Sequence, residues 1–191
     1  MENWNLFESG ALVWIEQNLR HPIIDPIMFF FSWINNAGLW AILMVLMLLV
    51  YKKYRDVGVT AMVSLAMEFF LINVVVKPWV QRIRPYDVNE AIHILVETPT
   101  DYSFPSGHTG AAFAVAFVVL LCMSWKWGVS VIAVASMIAF SRLYNGVHYP
   151  TDVLGALVIA FVTALLASKL VYPRIHGWLE RKKPEKNEIG V

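Results

Sequence analysis

Long apolar runs constrain the fold of this 191-residue chain more than any other feature of its sequence. Four runs approach the roughly 20 residues that a helix needs to cross a bilayer, and they cover residues 57–76, 107–124, 128–143 and 153–172. A fifth run, residues 38–51, is shorter, but apolar residues 23–34 precede it across a predicted break at Asn35, Asn36 and Gly38. The sequence therefore predicts an all-α, polytopic transmembrane bundle with five spans, or six.

The composition agrees with a membrane protein. Hydrophobic residues make up 58% of the chain and charged residues only 15%. This composition supplies more apolar surface than one soluble core of this length can bury. The net charge of +1 identifies no partner, and no basic patch with interleaved aromatic residues indicates nucleic-acid binding. Cys122 is the single cysteine, so the chain can form neither an intrachain disulfide nor a cysteine-based metal cage.

The two ends of the chain differ from its middle. Residues 5–19 place Glu8 and Glu16 among large apolar side chains, a pattern typical of a helix that lies in the membrane interface. The acidic start lacks the positive segment of a cleaved signal peptide. Residues 180–191 are charged and show no apolar periodicity, so we expect this tail to be disordered.

Three short polar segments stand at the ends of the apolar runs. These motif segments are residues 77–85 (KPWVQRIRP), 105–108 (PSGH) and 141–152 (SRLYNGVHYPTD). Threading the runs back and forth places all three segments on one side of the membrane. The opposite ends of the runs carry basic residues, namely Lys52, Lys53, Arg55, Lys126, Arg174, Arg181, Lys182, Lys183 and Lys186. By the positive-inside rule the motif segments are expected to face outward, with the tail in the cytoplasm.

The third motif segment has the residues of a histidine nucleophile. Pro150 favours the first turn of a helix, which places Asp152 where the helix dipole keeps a carboxylate ionised. A carboxylate that accepts a proton from one imidazole nitrogen leaves the lone pair of the other nitrogen free, so His148 can attack an electrophile. Arg142 can present its planar guanidinium to two phosphate oxygens.

The other two segments supply an anion site. Ser106 can cap a helix that begins at Gly107 and His108, and the unpaired N–H groups there attract an anion that glycine allows to approach closely. His108 can donate a proton to a leaving oxygen. Lys77 and Arg84 add positive charge against a transition state rich in negative charge.

Each residue taken alone has an ordinary explanation. Lys77, Arg82 and Arg84 can extend to the membrane interface, the two histidines can be hydrogen-bonded interfacial residues, and Ser106 and Asp152 can serve as helix caps. The ordinary explanations do not predict that all these groups converge on one face with two histidines among them. The coincidence therefore favours a phosphate-cleaving site.

The three segments together resemble the full signature of the type 2 phosphatidic acid phosphatase superfamily. The match keeps the order and the internal spacings of that family, and it reads Lys77-x6-Arg84-Pro85, Pro105-Ser106-Gly107-His108 and Ser141-Arg142-x5-His148-x3-Asp152. The resemblance covers about residues 57–172. It implies a helical bundle that cleaves phosphate esters without a metal ion or other cofactor.

The resemblance also implies roles for the site residues. It assigns a phosphohistidine intermediate to His148 and an orienting role to Asp152. His108 would protonate the leaving group and then activate water. The phosphate would be held by Lys77, Arg84, Ser106, Gly107 and Arg142.

On this interpretation residues 1–179 form one integral-membrane phosphatase domain. Residues 1–36 contain the interfacial and first hydrophobic segments, and residues 57–172 form the catalytic core. A site at the ends of spanning helices can receive a headgroup while the lipid tail stays in the bilayer, so we expect a lipid phosphate as substrate. Bacterial members of the family suggest undecaprenyl diphosphate, cleaved on the outer face of the cell membrane, with phosphatidylglycerol phosphate and phosphatidic acid as alternatives. No obligate protein partner is inferred.

Other interpretations remain open at this point. The related vanadium haloperoxidases use a similar anion pocket, so the chain can also be considered as a vanadate-dependent oxidative enzyme. A lipid transporter or binding protein is a further alternative, although mere anion binding needs no nucleophile. The loop at residues 86–104 can select headgroups or simply be solvated. Glu68 lies inside a predicted span, where an acid is a functional candidate, and we expect a polar contact inside the bundle for it.

Overall fold

A computed structural model describes residues 2–181, and the regular structure of this part of the chain is entirely helical. The ten α-helices are α1 (Glu2–Leu19), α2 (Ile24–Ile34), α3 (Leu39–Val50), α4 (Arg55–Phe69), α5 (Lys77–Val80), α6 (Pro85–Val88), α7 (Gly107–Cys122), α8 (Trp125–Tyr144), α9 (Pro150–Leu170) and α10 (Tyr172–Arg181). Short 3₁₀ turns cover Asn36–Gly38 and Lys52–Tyr54, and a π-helical segment covers Phe70–Val76. The predicted all-α class is confirmed.

All five predicted apolar runs are helical, but they differ in length. Three helical stretches in the described residues are long and apolar enough to cross a membrane, namely Lys52–Val88, Trp125–Tyr144 and Pro150–Arg181. Helices α2 and α3 together make a fourth candidate, bent by 47° between them. Helix α7 has 16 residues and is shorter than the usual span. Length and composition thus support three or four of the five predicted spans.

Helix α7 packs against α4, α8 and α9 at the centre of the bundle. Its side chains Ala112, Ala114 and Ala116 are fully buried, as are Ala160 and Ala164 of α9. Small side chains let membrane helices approach closely, which replaces the hydrophobic driving force that lipid does not supply. The second motif segment, at the start of α7, is therefore held by neighbours on several sides.

The predicted break between α2 and α3 is present and serves to place α2 beside the start of α7. Asn35 is buried, donates from Nδ2 to the carbonyl of His108 at 2.8 Å, and accepts from the backbone N–H of Ala41 at 3.3 Å. Ala37 and Gly38 turn the chain with φ values of 50° and 74°. Both polar groups of the buried amide are thus used, as burial requires.

The π-helical segment Phe70–Val76 joins α4 to α5. A π turn takes one more residue than an α turn, so it rotates every side chain that follows. Lys77 comes directly after it and points into the protein, where it is buried. Helix α5 then ends at Gln81, whose φ is 50°.

The predicted interfacial helix at the N-terminus is present as α1. It packs against α6 and α8 and leaves Trp4, Phe7 and Trp14 exposed. Its location in the membrane interface stays a prediction. At the other end of the chain, α10 includes Glu180 and Arg181, where the predicted disordered tail begins, and residues 182–191 lie outside the described part of the chain.

Helices α3 and α4 pack so closely that Gly58 has no room for a side chain. A Cβ atom there would lie 2.8 Å from the backbone nitrogen of Leu49 and 2.9 Å from the carbonyl carbon of Leu48. We predict that Gly58→Ala lowers the free energy of unfolding by about 1–3 kcal/mol, measured by thermal unfolding in detergent. Gly10→Ala is the control, since a Cβ at Gly10 would meet nothing within 4 Å. Equal stability of the two variants would contradict the prediction.

Candidate active site

The histidine and aspartate of the third motif segment form a buried pair. His148 lies in the turn between α8 and α9, and Asp152 lies in the first turn of α9. The Nδ1 atom of His148 is 3.3 Å from Oδ2 of Asp152. The same carboxylate oxygen accepts from the backbone N–H of Tyr149 at 2.8 Å and from the hydroxyl of Ser103 at 2.5 Å. Asp152 is thus held rigidly and orients the imidazole ring.

This pairing leaves Nε2 of His148 on the side of Arg84, whose Nη1 lies 3.5 Å away. Burial lowers the pKa of His148 to about 4, and the positive charge of Arg84 acts in the same direction, while Asp152 opposes the shift. His148 is therefore neutral at physiological pH. A neutral imidazole with its Nδ1 proton directed to a carboxylate is unprotonated at Nε2, so the Nε2 lone pair faces the guanidinium of Arg84.

Arg82 holds the other oxygen of Asp152. Its Nη1 donates to Oδ1 of Asp152 at 2.7 Å and to the hydroxyl of Thr151 at 2.6 Å. The rest of the guanidinium is bound by α1, where Asn5 accepts at 2.8–3.0 Å and Glu8 forms an ion pair. Glu8 also accepts from the backbone N–H of Thr151 at 3.0 Å. The N-terminal helix is therefore connected to Asp152 through Arg82.

Lys77 and Arg84 share a single carboxylate. Asp101, in the loop before α7, pairs with Lys77 through Oδ2 and accepts from Nη2 of Arg84 at 2.5 Å through Oδ1. Arg84 also donates from Nη1 to the carbonyl of Val147 at 2.7 Å. This bond ties Arg84 to the turn that carries His148.

The second motif segment begins α7 as predicted. Ser106 is the N-cap, and its hydroxyl accepts from the backbone N–H of Thr109 at 3.4 Å and from its hydroxyl at 3.0 Å. A Cβ atom on Gly107 would lie 3.9 Å from Nζ of Lys77, so the two segments approach each other closely. His108 lies one residue further along the helix. The first turn of α7 thus faces the cation of the first segment.

Arg142 lies in the last turn of α8 and lines the same cavity as the other cations. It is buried and donates from Nη1 to the hydroxyl of Ser32 in α2. Its Nε atom is buried and has no hydrogen-bond partner within residues 2–181. An unpaired charged donor in the interior is costly, so this group is suited to an anionic ligand.

One cavity of about 1070 Å³ collects most of these groups. The predicted site residues that line it are Lys77, Arg84, Gly107, His108, Arg142 and His148. Ser106 and Asp152 are fully buried behind it. Large apolar side chains of α2, α3 and α4 line the same cavity, namely Phe29, Trp33, Ile42, Met62, Leu65 and Phe69. The structure therefore brings the eight predicted residues together, and their chemical roles stay a prediction.

Sequence reasoning missed several residues of this site. Arg82 received no role at the site, and its ordinary explanation was an interfacial cation, whereas the structure shows it bound to Asp152. Asp101 and Ser103 lie in the loop at residues 86–104, and Glu8 lies in the predicted interfacial helix. The position of Asp101 and Ser103 directly before the second motif segment was the one available signal. Nothing local to Glu8 indicates a contact with residues more than 70 positions away.

Glu68 lies in the wall of the same cavity. It is buried in α4 against Gly110 of α7, and its Oε1 atom has no hydrogen-bond partner within the described residues. The polar contact that we expected is therefore absent at this oxygen.

Comparison with known proteins identifies the family. Residues 57–176, more than half of the chain, match the model of the PAP2 superfamily. The chain belongs to this superfamily. PAP2 membership agrees with the resemblance in the three motif segments and makes the protein a membrane phosphatase, that is, a phosphoric ester hydrolase of a lipid phosphatase family.

Two PAP2 relatives and one solved structure illustrate the likeness. An undecaprenyl-diphosphatase of Sulfolobus acidocaldarius is 30% identical over 148 residues, which cover 77% of this chain and 70% of the relative. Phosphatidylglycerophosphatase B of Bacillus subtilis is 29% identical over 164 residues, 78% of this chain and 75% of the relative. The crystal structure of Aquifex aeolicus LpxE matches with a TM-score of 0.71 at 24% identity, covering 84% of this chain and 93% of that one. At this identity the structural match shows a shared fold.

We predict that Arg82→Met destabilises the protein by about 3–5 kcal/mol, because the buried carboxylates of Glu8 and Asp152 would lose their shared cation. The measurement is thermal unfolding in detergent. Arg55→Met is the control, since Arg55 is exposed and donates to the backbone carbonyl of Leu49. A loss no larger than that of the control would contradict the role of Arg82 in holding the site together.

Proposed function

We propose that this protein is a metal-independent lipid diphosphate phosphatase that converts undecaprenyl diphosphate to undecaprenyl phosphate and inorganic phosphate. The observation that carries the proposal is that one cavity is lined both by buried cations and by large apolar side chains. A phosphate group can lie among the cations while the attached lipid chain contacts the apolar side chains of α2, α3 and α4. Phe69 and Ile42, which line this cavity, are 60% and 44% exposed, so they are accessible to a lipid chain.

In the first half of the reaction, Nε2 of His148 attacks the terminal phosphorus. The new N–P bond forms as the bond between phosphorus and the leaving oxygen breaks. His108 takes up a proton from solvent when the negatively charged phosphate binds beside it, and it gives this proton to the leaving oxygen. Lys77, Arg84 and Arg142 stabilise the negative charge of the transition state. The unpaired Nε of Arg142 supports its part in this role.

In the second half, water attacks the phosphohistidine. His108, now without its proton, accepts a proton from the water molecule, and the N–P bond breaks to release phosphate and neutral His148. The contact of Nδ1 with Asp152 keeps the imidazole oriented through both halves. The covalent intermediate follows from the family resemblance, and the geometry of His148 supports it.

The choice of substrate is supported by the undecaprenyl-diphosphatase relative. A second candidate, phosphatidylglycerol phosphate, is supported by the likeness to phosphatidylglycerophosphatase B at almost the same identity. Both lipids carry a terminal phosphate on an apolar anchor, so both suit a cavity that is lined by cations and by apolar side chains.

The reaction is tested by phosphate release from purified protein in detergent, with EDTA in the buffer. Undecaprenyl diphosphate, phosphatidylglycerol phosphate and phosphatidic acid are compared at equal surface concentration. We expect undecaprenyl diphosphate to be preferred and His148→Ala to lower kcat by about 10³-fold or more, because the nucleophile is lost.

His93→Ala is the matched control, since His93 is 75% exposed and pairs with Glu16 away from the cavity. This variant should keep full activity, and thermal unfolding should show that both variants are folded at the assay temperature. Preference for a glycerolipid would assign the second candidate instead. No release from any lipid would overturn the proposal, and lipid binding that survives His148→Ala would then indicate a binding protein.

We also propose that the site faces the outside of a bacterial cell membrane and that the tail is cytoplasmic. The end of the bundle opposite the site carries the connection at Lys52–Tyr54 and the start of α8 at Lys126. Helix α10 reaches the same end, where His176 binds Asp56 at 2.6 Å. The basic residues at this end favour the cytoplasm.

Orientation is tested with single cysteines in a Cys122→Ser background. We expect Glu90→Cys, in the loop before α7, to react with a membrane-impermeant maleimide in intact cells. Lys126→Cys, at the opposite end, should react only after lysis. Both positions are exposed in the structure, so a difference in their reactivity reports on which side of the membrane each one lies. The reverse pattern would place the site in the cytoplasm.

A further inference from the structure

The carboxylate of Asp101 is bound to Lys77 and Arg84, the two cations that are expected to bind the phosphate. One carboxylate oxygen accepts from Nη2 of Arg84 at 2.5 Å, and the other pairs with Nζ of Lys77. A carboxylate that bridges two cations uses the donors that a phosphate group would use. The two anions therefore compete for the same hydrogen-bond donors.

Asp101 lines the same cavity as the two cations that it binds. The side chains of Lys77 and Arg84 are only 7% and 4% exposed, while that of Asp101 is 50% exposed. The carboxylate is therefore the more accessible partner of two buried cations. A phosphate that enters the cavity and reaches these cations either displaces the carboxylate or lies beside a like charge.

The backbone around Asp101 is fixed although its side chain is accessible. The carbonyl of Asp101 accepts from Nε of Arg84 at 2.9 Å. The backbone N–H of Ser103 donates to the carbonyl of Arg82 at 2.9 Å, and the Ser103 hydroxyl binds Asp152. The loop therefore remains in place when the Asp101 carboxylate rotates outward, and displacement requires only a side-chain movement.

The Asp101 carboxylate is ionised at neutral pH. Partial burial opposes ionisation, but the hydrogen bonds and charges of Lys77 and Arg84 prevail and lower the pKa of Asp101 to about 2. A charged competitor is thus present at neutral pH.

We propose that Asp101 is an internal anion that occupies the phosphate position of the empty site and thereby sets its affinity for phosphate groups. The substrate displaces the carboxylate, and the carboxylate returns as inorganic phosphate leaves. Asp101 thus limits inhibition by the product. The inference rests on the proposed function, because Lys77 and Arg84 hold the substrate phosphate there.

The opposite role for Asp101 makes the opposite prediction. If the carboxylate only held Lys77 and Arg84 in position for the phosphate, its removal would disorder the cations and weaken anion binding. If it competes with phosphate, its removal leaves two buried cations without their shared counter-ion and strengthens anion binding. The sign of the effect therefore separates the two roles.

The test measures binding of inorganic phosphate to the purified full chain in detergent by titration calorimetry, which requires no turnover. We expect Asp101→Asn to lower the Kd for phosphate by about five- to tenfold, since one competing unit charge a few ångströms away is removed. The inhibition constant of phosphate in the lipid assay should fall by the same factor. Asp101→Glu, which keeps the charge, should remain near the wild-type value.

Glu90→Gln is the matched control, because Glu90 is an exposed acid of the same loop. It should leave phosphate affinity unchanged and thereby exclude a general effect of net charge. Asp101→Ser is a second neutral variant, used if Asp101→Asn unfolds, and unfolding temperatures without phosphate establish that each variant is folded. Weaker or unchanged phosphate binding in the folded neutral variants would overturn the inference.

The two proposals can fail separately. A wild-type protein that cleaves lipid phosphates, with variants of unchanged phosphate affinity, would refute the role of Asp101 alone. A protein that cleaves none of the three lipids, but binds phosphate more tightly after Asp101→Asn, would refute the catalytic proposal and retain the internal anion.

Discussion

The buried ion pair between Arg82 and Asp152 joins the parts of the chain that build the site. Asp152 belongs to α9, Arg82 follows α5, Ser103 comes from the loop before α7, and Glu8 comes from α1. Removing one partner of a buried ion pair is strongly destabilising, because it leaves an uncompensated charge in the interior. Helix α1 lies outside residues 57–176, which match the family model, yet it supplies one of the two carboxylates that bind Arg82. The orientation of His148 therefore depends on the fold as a whole.

The other three cations that line the cavity, Lys77, Arg84 and Arg142, differ in whether their hydrogen-bond donors are already paired. The Nε atom of Arg142 is buried and has no hydrogen-bond partner within residues 2–181, whereas Lys77 and Arg84 are bound to the half-exposed carboxylate of Asp101. On the proposed mechanism, an anion that enters the site accepts a new hydrogen bond from Arg142. At Lys77 and Arg84 the same anion replaces Asp101. Exchange of one anion for another keeps the buried cations compensated in both states, which burial of charge requires.

Much of the fold and the composition of the site could be predicted from sequence, but the connections within the site could not. The apolar runs predicted the helices, and the break at Asn35, Asn36 and Gly38 was located correctly. The π-helical segment Phe70–Val76 has no signal in its uniformly apolar sequence. The role of Arg82 could not be predicted, because an arginine at the end of an apolar run usually extends toward water. Its partners Asp152 and Glu8 are about 70 positions away in sequence.

The helical class, the family and the identity of the eight candidate site residues can be predicted from the amino-acid sequence, because apolar periodicity and motif spacing are local properties. Which of the charged groups lie in contact is known only from the folded structure. Lys77 pairs with Asp101, Arg82 with Asp152 and Glu8, and Arg84 with both Asp101 and the turn before His148. These pairings depend on how helices distant in sequence pack, and packing is a property of the whole chain.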